Sequence, residues 1–197
     1  MRIHVLGGFL GSGKTTILMK MASSYIERGK KVSIVVNEAG DIGVDGATIK
    51  GNGYNTTELP DGCICCSLTT NLIEAVNNIT NERDPDVMII EPTGLAIPSR
   101  VVNILDMIKG FDKKVNVIGV VDARRFHIFS EKKPAFITEQ IKGSDIVLMN
   151  KIDVATPEEK KDTADWIADN IGITDIHPVS AKTGEGMDEV LKVIMDE

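Results

Sequence analysis

The stretch Gly8-Phe9-Leu10-Gly11-Ser12-Gly13-Lys14-Thr15, "GFLGSGKT", follows the apolar run Arg2 to Leu6 and precedes a segment with helical spacing. It matches G-x-x-x-x-G-K-[ST] in the strand-to-helix context that gives the pattern its meaning. Glycines let such a loop wrap so that backbone N–H groups point inward at phosphate oxygens. The helix that follows adds its own free N–H groups and partial positive charge. Lys14 is then placed to reach the β- and γ-phosphates of a nucleotide, and Thr15 to offer its hydroxyl to Mg²⁺. A Gly-rich turn that matches by chance does not account for a complete motif in the right place.

From this loop outward, the chain alternates short apolar runs with helical patterns. A helix is expected from Lys14 to about Arg28, with Ile17, Leu18, Met21 and Tyr25 at helical spacing and Gly29 as its stop. Val32 to Asn37, Val87 to Ile90, Val115 to Val121, Ile146 to Met149 and Ile176 to Val179 read as strands. Ala47 to Lys50 and Tyr54 to Glu58, around Gly51-Asn52-Gly53, suggest a hairpin. Ser67 can cap a helix carrying Leu68, Leu72, Val76 and Ile79 on one face. Thr156, Pro157, Glu158 and Glu159 announce another helix start. This alternation predicts an α/β fold: a three-layer P-loop NTPase architecture, its mainly parallel sheet covered by helices on both faces. Ligands of such sheets bind at the carboxyl ends of the strands.

The chain has 197 residues, 42% hydrophobic and 26% charged, enough for one well-buried domain. No linker or repeat divides it, so one domain over residues 1–197 is expected. The net charge of −7 argues against nucleic acid or an anionic membrane as the main partner. Gly7-Gly8 interrupts the first apolar run, and no stretch approaches the about 20 apolar residues of a membrane span. A cytoplasmic protein is expected. The histidines at 4, 127 and 177 are scattered and read as structural, Trp166 as a core or helix-face residue, and Arg124 and Arg125 as a solvated face, with a catalytic arginine as the other reading.

"NKID", Asn150 to Asp153, follows the apolar strand Ile146 to Met149. A carboxylate there can accept from both N1–H and the 2-amino group of guanine, whereas adenine would leave it unpaired. Sites built on paired hydrogen bonds reject such analogues strongly. "SAK", Ser180, Ala181 and Lys182, stands after a later strand, where a loop around the guanine ring is expected. The nucleotide is therefore expected to be GTP rather than ATP. "VMIIEPTG", Val87 to Gly94, places Glu91 at a strand end, where it can hold a water on Mg²⁺. Gly94 can swing its amide toward a γ-phosphate, as segments ordered by triphosphate do. "NEAGDIGVDG", Asn37 to Gly46, brings Glu38, Asp41 and Asp45 near the same edge. One or two of them are candidates for Mg²⁺, a second metal or the attacking water.

All three cysteines fall within "DGCICCS", Asp61 to Ser67, and cannot form a disulfide framework. A helix start at Ser67 and any bound cation would favour thiolate, the ligating form. Cys63, Cys65 and Cys66 fall short of the four ligands of a closed structural zinc site. An incomplete set suits an ion that must be released, with the remaining ligand lent by a carboxylate, water or a second subunit.

Taken in order, GGFLGSGKTT, NEAGDIGVDG, GCICCSL, EPTGLAIP and NKID resemble the CobW-like branch of the CobW/HypB/UreG family of GTPases. The resemblance runs from about Arg2 to Asp153 and continues more loosely beyond. It implies a metallochaperone or metalloenzyme-maturation factor that couples GTP binding and slow hydrolysis to GDP with delivery of Zn²⁺, Co²⁺ or another transition metal. It implies phosphate contacts at Gly11, Ser12, Gly13, Lys14, Thr15 and Thr16, and Mg²⁺ at Thr15. Guanine contacts are implied at Asn150, Lys151 and Asp153, and transition-metal thiolates within Cys63, Cys65 and Cys66. A client metalloprotein or cofactor enzyme and a nucleotide-dependent homodimer are the implied partners. CobW-like proteins often continue into a second domain, whereas no second C-terminal domain is expected in these residues. Two other readings share the motifs: a regulatory switch with structural or redox-sensing cysteines, and a chaperone guarding a corrinoid or other cofactor enzyme.

Overall fold

The computed structural model describes residues 1–36, 55–58, 67–92 and 96–196. Among the described residues seven strands form one sheet: β1 (Arg2–Gly7), β2 (Val32–Val36), β3 (Asn55–Glu58), β4 (Val87–Glu91), β5 (Lys114–Asp122), β6 (Ile146–Asn150) and β7 (Ile176–Pro178). The helices are α1 (Lys14–Glu27), α2 (Ser67–Arg83), α3 (Pro98–Met107), α4 (Phe126–Lys132), α5 (Pro134–Ile141), α6 (Pro157–Ile171) and α7 (Met187–Asp196). The strand order is β3-β2-β4-β1-β5-β6-β7, and every pairing is parallel.

The strands lie inside because both faces are covered, which is why they read as unbroken apolar runs rather than alternating ones. Successive residues still point to opposite faces. Leu6, Ile34, Val36 and Ile89 pack with Ile17, Leu18 and Met21 of α1 and with Leu191 and Ile194 of α7. Val5, Val35, Met88 and Ile90 pack on the other face with Leu72 and Val76 of α2 and with Val101 and Leu105 of α3. Val121, Val147 and Met149 meet Phe126 of α4, Ile137 and Ile141 of α5, and Ile167 of α6. These are the three layers expected of a P-loop NTPase.

Local signals set the helix boundaries. At α6, Thr156 Oγ1 accepts from the Glu159 N–H at 3.1 Å and the Glu159 carboxylate accepts from the Thr156 N–H at 2.7 Å, a reciprocal cap. The expected hairpin is only partly covered: residues 47–54 lie outside the described residues, and Asn55–Glu58 runs parallel to β2 at the sheet edge. Trp166, partly buried on α6, packs edge-on to Phe126 of the core, with ring centroids 5.3 Å apart, as a helix-face residue would. His4 is a buried structural residue, its Nε2 2.8 Å from the Tyr25 hydroxyl. His177 lies 2.8 Å from the Asp175 carboxylate. Among the described residues no helix is long and apolar enough to cross a membrane.

The parallel arrangement brings five strand ends to one edge. β1 leads into the Gly8–Thr15 loop, β4 ends at Glu91, β5 at Asp122 and β6 at Asn150, and β7 is followed by Ser180. Chain order reverses around β1, with β4 on one side and β5 on the other, which is where a crevice for ligand opens.

Candidate nucleotide site

The phosphate loop occupies that crevice. Gly8 has φ of 134° and lies so close to β5 that a Cβ would sit 2.1 Å from the Val120 carbonyl oxygen. Gly13 is the N-cap of α1, in the left-handed region with φ of 99°, and a Cβ there would meet Asn150 Nδ2 at 2.2 Å. Only glycine fits either place. No side chain caps α1 and no acidic residue stands in its first turn, so the helix start keeps its positive partial charge for an anion. Lys14 is buried, and its Nζ reaches the Phe9 carbonyl oxygen at 3.4 Å. The residue types and the open helix start together fit a bound polyphosphate.

Thr15 Oγ1 donates to Glu91 Oε1 at 3.0 Å, so the two residues expected at Mg²⁺ are adjacent. A hydroxyl beside a carboxylate is a hard oxygen donor set of the kind Mg²⁺ takes. The other residues expected here, Glu38, Asp41, Asp45 and Gly94, lie outside the described residues, as do Cys63, Cys65 and Cys66. Among the described residues no group of three or more His, Cys, Asp or Glu side chains is arranged to hold a metal ion.

The base-side motifs are joined to the phosphate loop. Asn150 is buried: its Nδ2 donates to the Ser12 carbonyl oxygen at 2.8 Å, and its Oδ1 accepts from the Ala181 N–H at 2.9 Å. Asn150 thus ties "GFLGSGKT" to "SAK". Because the peptide is trans and planar, a Ser12 carbonyl held by Asn150 turns the Gly13 N–H the opposite way. Ser180 Oγ donates to Asp153 Oδ1 at 2.8 Å and accepts from the Thr183 N–H at 3.1 Å. One carboxylate oxygen of Asp153 is thereby fixed, which orients the group expected to read guanine. Lys182 is exposed.

Lys151 adopts φ of 67°, unusual for a residue with a side chain. Its Nζ donates to the Gly11 carbonyl oxygen at 2.6 Å and to Asp122 Oδ2 at 2.7 Å. Sequence reasoning missed Asp122, which is buried at the end of β5 and also accepts from Arg125 Nε at 2.7 Å. Burial alone would raise the Asp122 pKa, but the hydrogen bonds and charges of Lys151 and Arg125 outweigh it and hold the carboxyl below its ordinary value. Arg125 is partly exposed, in line with the expected solvated face, but it is also engaged. Its guanidinium bonds Asp122 and the Gly11 carbonyl oxygen at 3.0 Å, and lies over the Phe129 ring at 5.7 Å from the centroid. The only sequence signal was an acidic residue ending a buried strand three positions before a basic one.

Comparison with known proteins places this site in context. The family model described as "CobW/HypB/UreG, nucleotide-binding domain" matches residues 2–175. The chain is 30% identical to the zinc chaperone YeiR of Escherichia coli (strain K12), over 87% of this chain and 52% of that protein. It is 30% identical to the zinc chaperone CobW of Sinorhizobium sp, over 92% of this chain and 59% of that protein. The chain therefore spans little more than half the length of these relatives. Among solved structures, the hydrogenase maturation factor HypB from Archaeoglobus fulgidus superposes with a TM-score of 0.67, at 19% identity, over 100% of this chain and 89% of that one.

Proposed function

The chain belongs to the CobW/HypB/UreG family, and on that premise we propose that it is a GTPase that delivers a transition-metal ion. GTP would lie with its phosphates on Gly11, Ser12, Gly13, Lys14, Thr15 and Thr16, and its base between Lys151, Asp153 and the Ser180–Lys182 loop. The observation that carries this reading is Asn150, hydrogen-bonded at once to Ser12 and Ala181, which makes the phosphate loop and the base loop one unit. Asp153, oriented by Ser180, supports guanine over adenine because it has the acceptor that the N1–H and 2-amino donors need.

Mg²⁺ would be held by Thr15, with Glu91 and one of Glu38 or Asp41 on its outer side, and would supply charge neutralisation at the phosphates. Lys14 is the chain's own cation for the γ-phosphate, and Gly94 supplies a backbone donor that senses it. The cargo ion would be bound by Cys63, Cys65 and Cys66, thiolates that suit Zn²⁺ or Co²⁺. The names of the relatives favour Zn²⁺. Release to a client metalloprotein follows if the triphosphate and diphosphate states hold the ion with different affinity. A second copy meeting the first across the nucleotide is one way to complete the three-thiolate set.

Calorimetric titration with GTP, GDP and ATP in the presence of Mg²⁺, together with phosphate release on incubation, tests this reading. Guanine nucleotides binding at least tenfold more tightly than ATP, with slow release of phosphate from GTP, is the expected result. Equal affinity for ATP and GTP would refute the base assignment.

A further inference from the structure

Asp122, Arg125, Lys151 and Gly11 form a closed ionic cluster on the outer side of the phosphate loop. The Gly11 carbonyl oxygen accepts two charged donors, Lys151 Nζ at 2.6 Å and Arg125 Nη2 at 3.0 Å. The same two cations converge on Asp122 Oδ2, each at 2.7 Å. Asp122 also accepts the Arg125 backbone N–H at 3.3 Å through Oδ1. The Asp122 side chain is 5% exposed, against 42% for Arg125 and 34% for Lys151. A nearly buried carboxylate therefore anchors two cations whose outer ends grip one loop carbonyl. Arg125 is steadied from its far side by the Phe129 ring, which itself packs on Phe9 of the loop with centroids 4.4 Å apart.

We propose that Asp122 and Arg125 are positioning residues of the nucleotide site, a latch that holds the Gly11 carbonyl and keeps the phosphate loop shaped for its ligand. The physical reason is the loop's own chemistry. A phosphate cradle needs its amide N–H groups turned inward, and each inward N–H requires the adjoining carbonyl to point away. Two adjacent carbonyls, Gly11 and Ser12, are held by side chains from other elements: Arg125 and Lys151 on the first, Asn150 on the second. The N–H of the first peptide, on Ser12, closes a turn onto the Phe9 carbonyl oxygen at 3.1 Å, so the latch fixes that turn of the loop, while the N–H of the second, on Gly13, is turned away from Asn150. Arg125 is not interchangeable with lysine here, since its fork spans Asp122 and Gly11 together. Asp122 keeps both cations in place and offsets their charge where the pair would otherwise repel. The latch acts on the phosphate loop, so its effect does not depend on which base is bound. The inference rests on the proposed nucleotide site only in taking "GFLGSGKT" to bind polyphosphate.

The test is a titration of Mg-GTP and of base-free Mg-tripolyphosphate into the wild-type chain, Arg125→Ala, Asp122→Asn and the double variant. Thermal melts without ligand fix a temperature at which every variant is folded. Arg125→Ala is expected to weaken both ligands by about tenfold, the loss of its charge-assisted hydrogen bond to the loop carbonyl. Asp122→Asn should weaken both at least as much, and the double variant should match Asp122→Asn because the two act as one unit. Should Arg125→Ala leave both affinities within twofold of wild type, or should the two effects simply add, the latch is overturned. A purely structural role for Asp122 would lower the melting temperature and spare affinity. Preference for adenine nucleotide in the wild type would sink the guanine assignment alone, because the tripolyphosphate arm still reads the latch.

Discussion

Asn150 and Ser12, 138 positions apart in the chain, are joined by a 2.8 Å hydrogen bond from the asparagine amide to the serine carbonyl. The other end of the same amide accepts from Ala181. Removing the side chain in Asn150→Ala breaks two buried hydrogen bonds, each worth about 1–2 kcal/mol. GTP affinity should fall about 100-fold, with a lower melting temperature as well. Calorimetry checks this, and an affinity within threefold of wild type would disprove the bridge.

Asp153 is the base selector in the proposed site. Asp153→Asn should weaken GTP and favour xanthine nucleotide, whose 2-oxo group accepts from the new amide. Ser180→Ala keeps the carboxylate but frees it from the 2.8 Å bond that orients it. A loss of about tenfold in GTP affinity, without the switch to xanthine, is expected. Competition binding with GTP and XTP separates the two variants. Unchanged GTP affinity in Asp153→Asn would remove Asp153 from the base pocket.

Glu91 accepts the Thr15 hydroxyl at 3.0 Å. Glu91→Gln keeps the shape and removes the charge, so the Mg²⁺ concentration for half-maximal phosphate release from GTP should rise about tenfold. A Mg²⁺ requirement equal to wild type would move the cation site away from Glu91.

Those three sites differ in how far the sequence disclosed them. The motifs Gly8 to Thr15, Val87 to Gly94 and Asn150 to Asp153 stand out in the sequence as contiguous runs at fixed spacing, and the structure sets Thr15 beside Glu91 and Asn150 beside Ser12, while what they bind is part of the proposal. The sheet was legible because Val32–Val36, Val87–Glu91 and Ile146–Asn150 are apolar without interruption, the mark of strands covered on both faces. The contact of Arg125 with the loop was not legible because Gly11 lies 114 positions away, although its other partners, Asp122 and Phe129, are local. Its role exists only in tertiary structure. The pairing of Asn55–Glu58 with β2 was hidden for a similar reason, since a strand's partner is chosen by the sheet edge it meets rather than by its own residues.

His4 gives the fold a pH dependence. Burial, then the nearby charges of Arg2 and Lys114, pushes its pKa down from 6.5 to about 3. Between those values the unfolded chain binds a proton that the folded chain does not. Stability is therefore full above pH 6.5 and declines as pH falls toward 3, by up to about 1.4 kcal/mol per pH unit. Urea unfolding of wild type and His4→Gln at pH 7.5, 6 and 5 checks this. The difference between the two should shrink with falling pH, and a constant difference would show that His4 does not titrate with unfolding.

The coupling of nucleotide to metal is tested most directly by one competition titration. Zn²⁺ would be titrated against a chromophoric chelator with the chain saturated first by Mg²⁺ and a non-hydrolysable GTP analogue, then by Mg-GDP. Tighter Zn²⁺ binding in the triphosphate state by about tenfold or more, abolished when Cys63, Cys65 and Cys66 are replaced by serine, is the expected result. Equal affinity in the two states would contradict a GTP-driven delivery of metal.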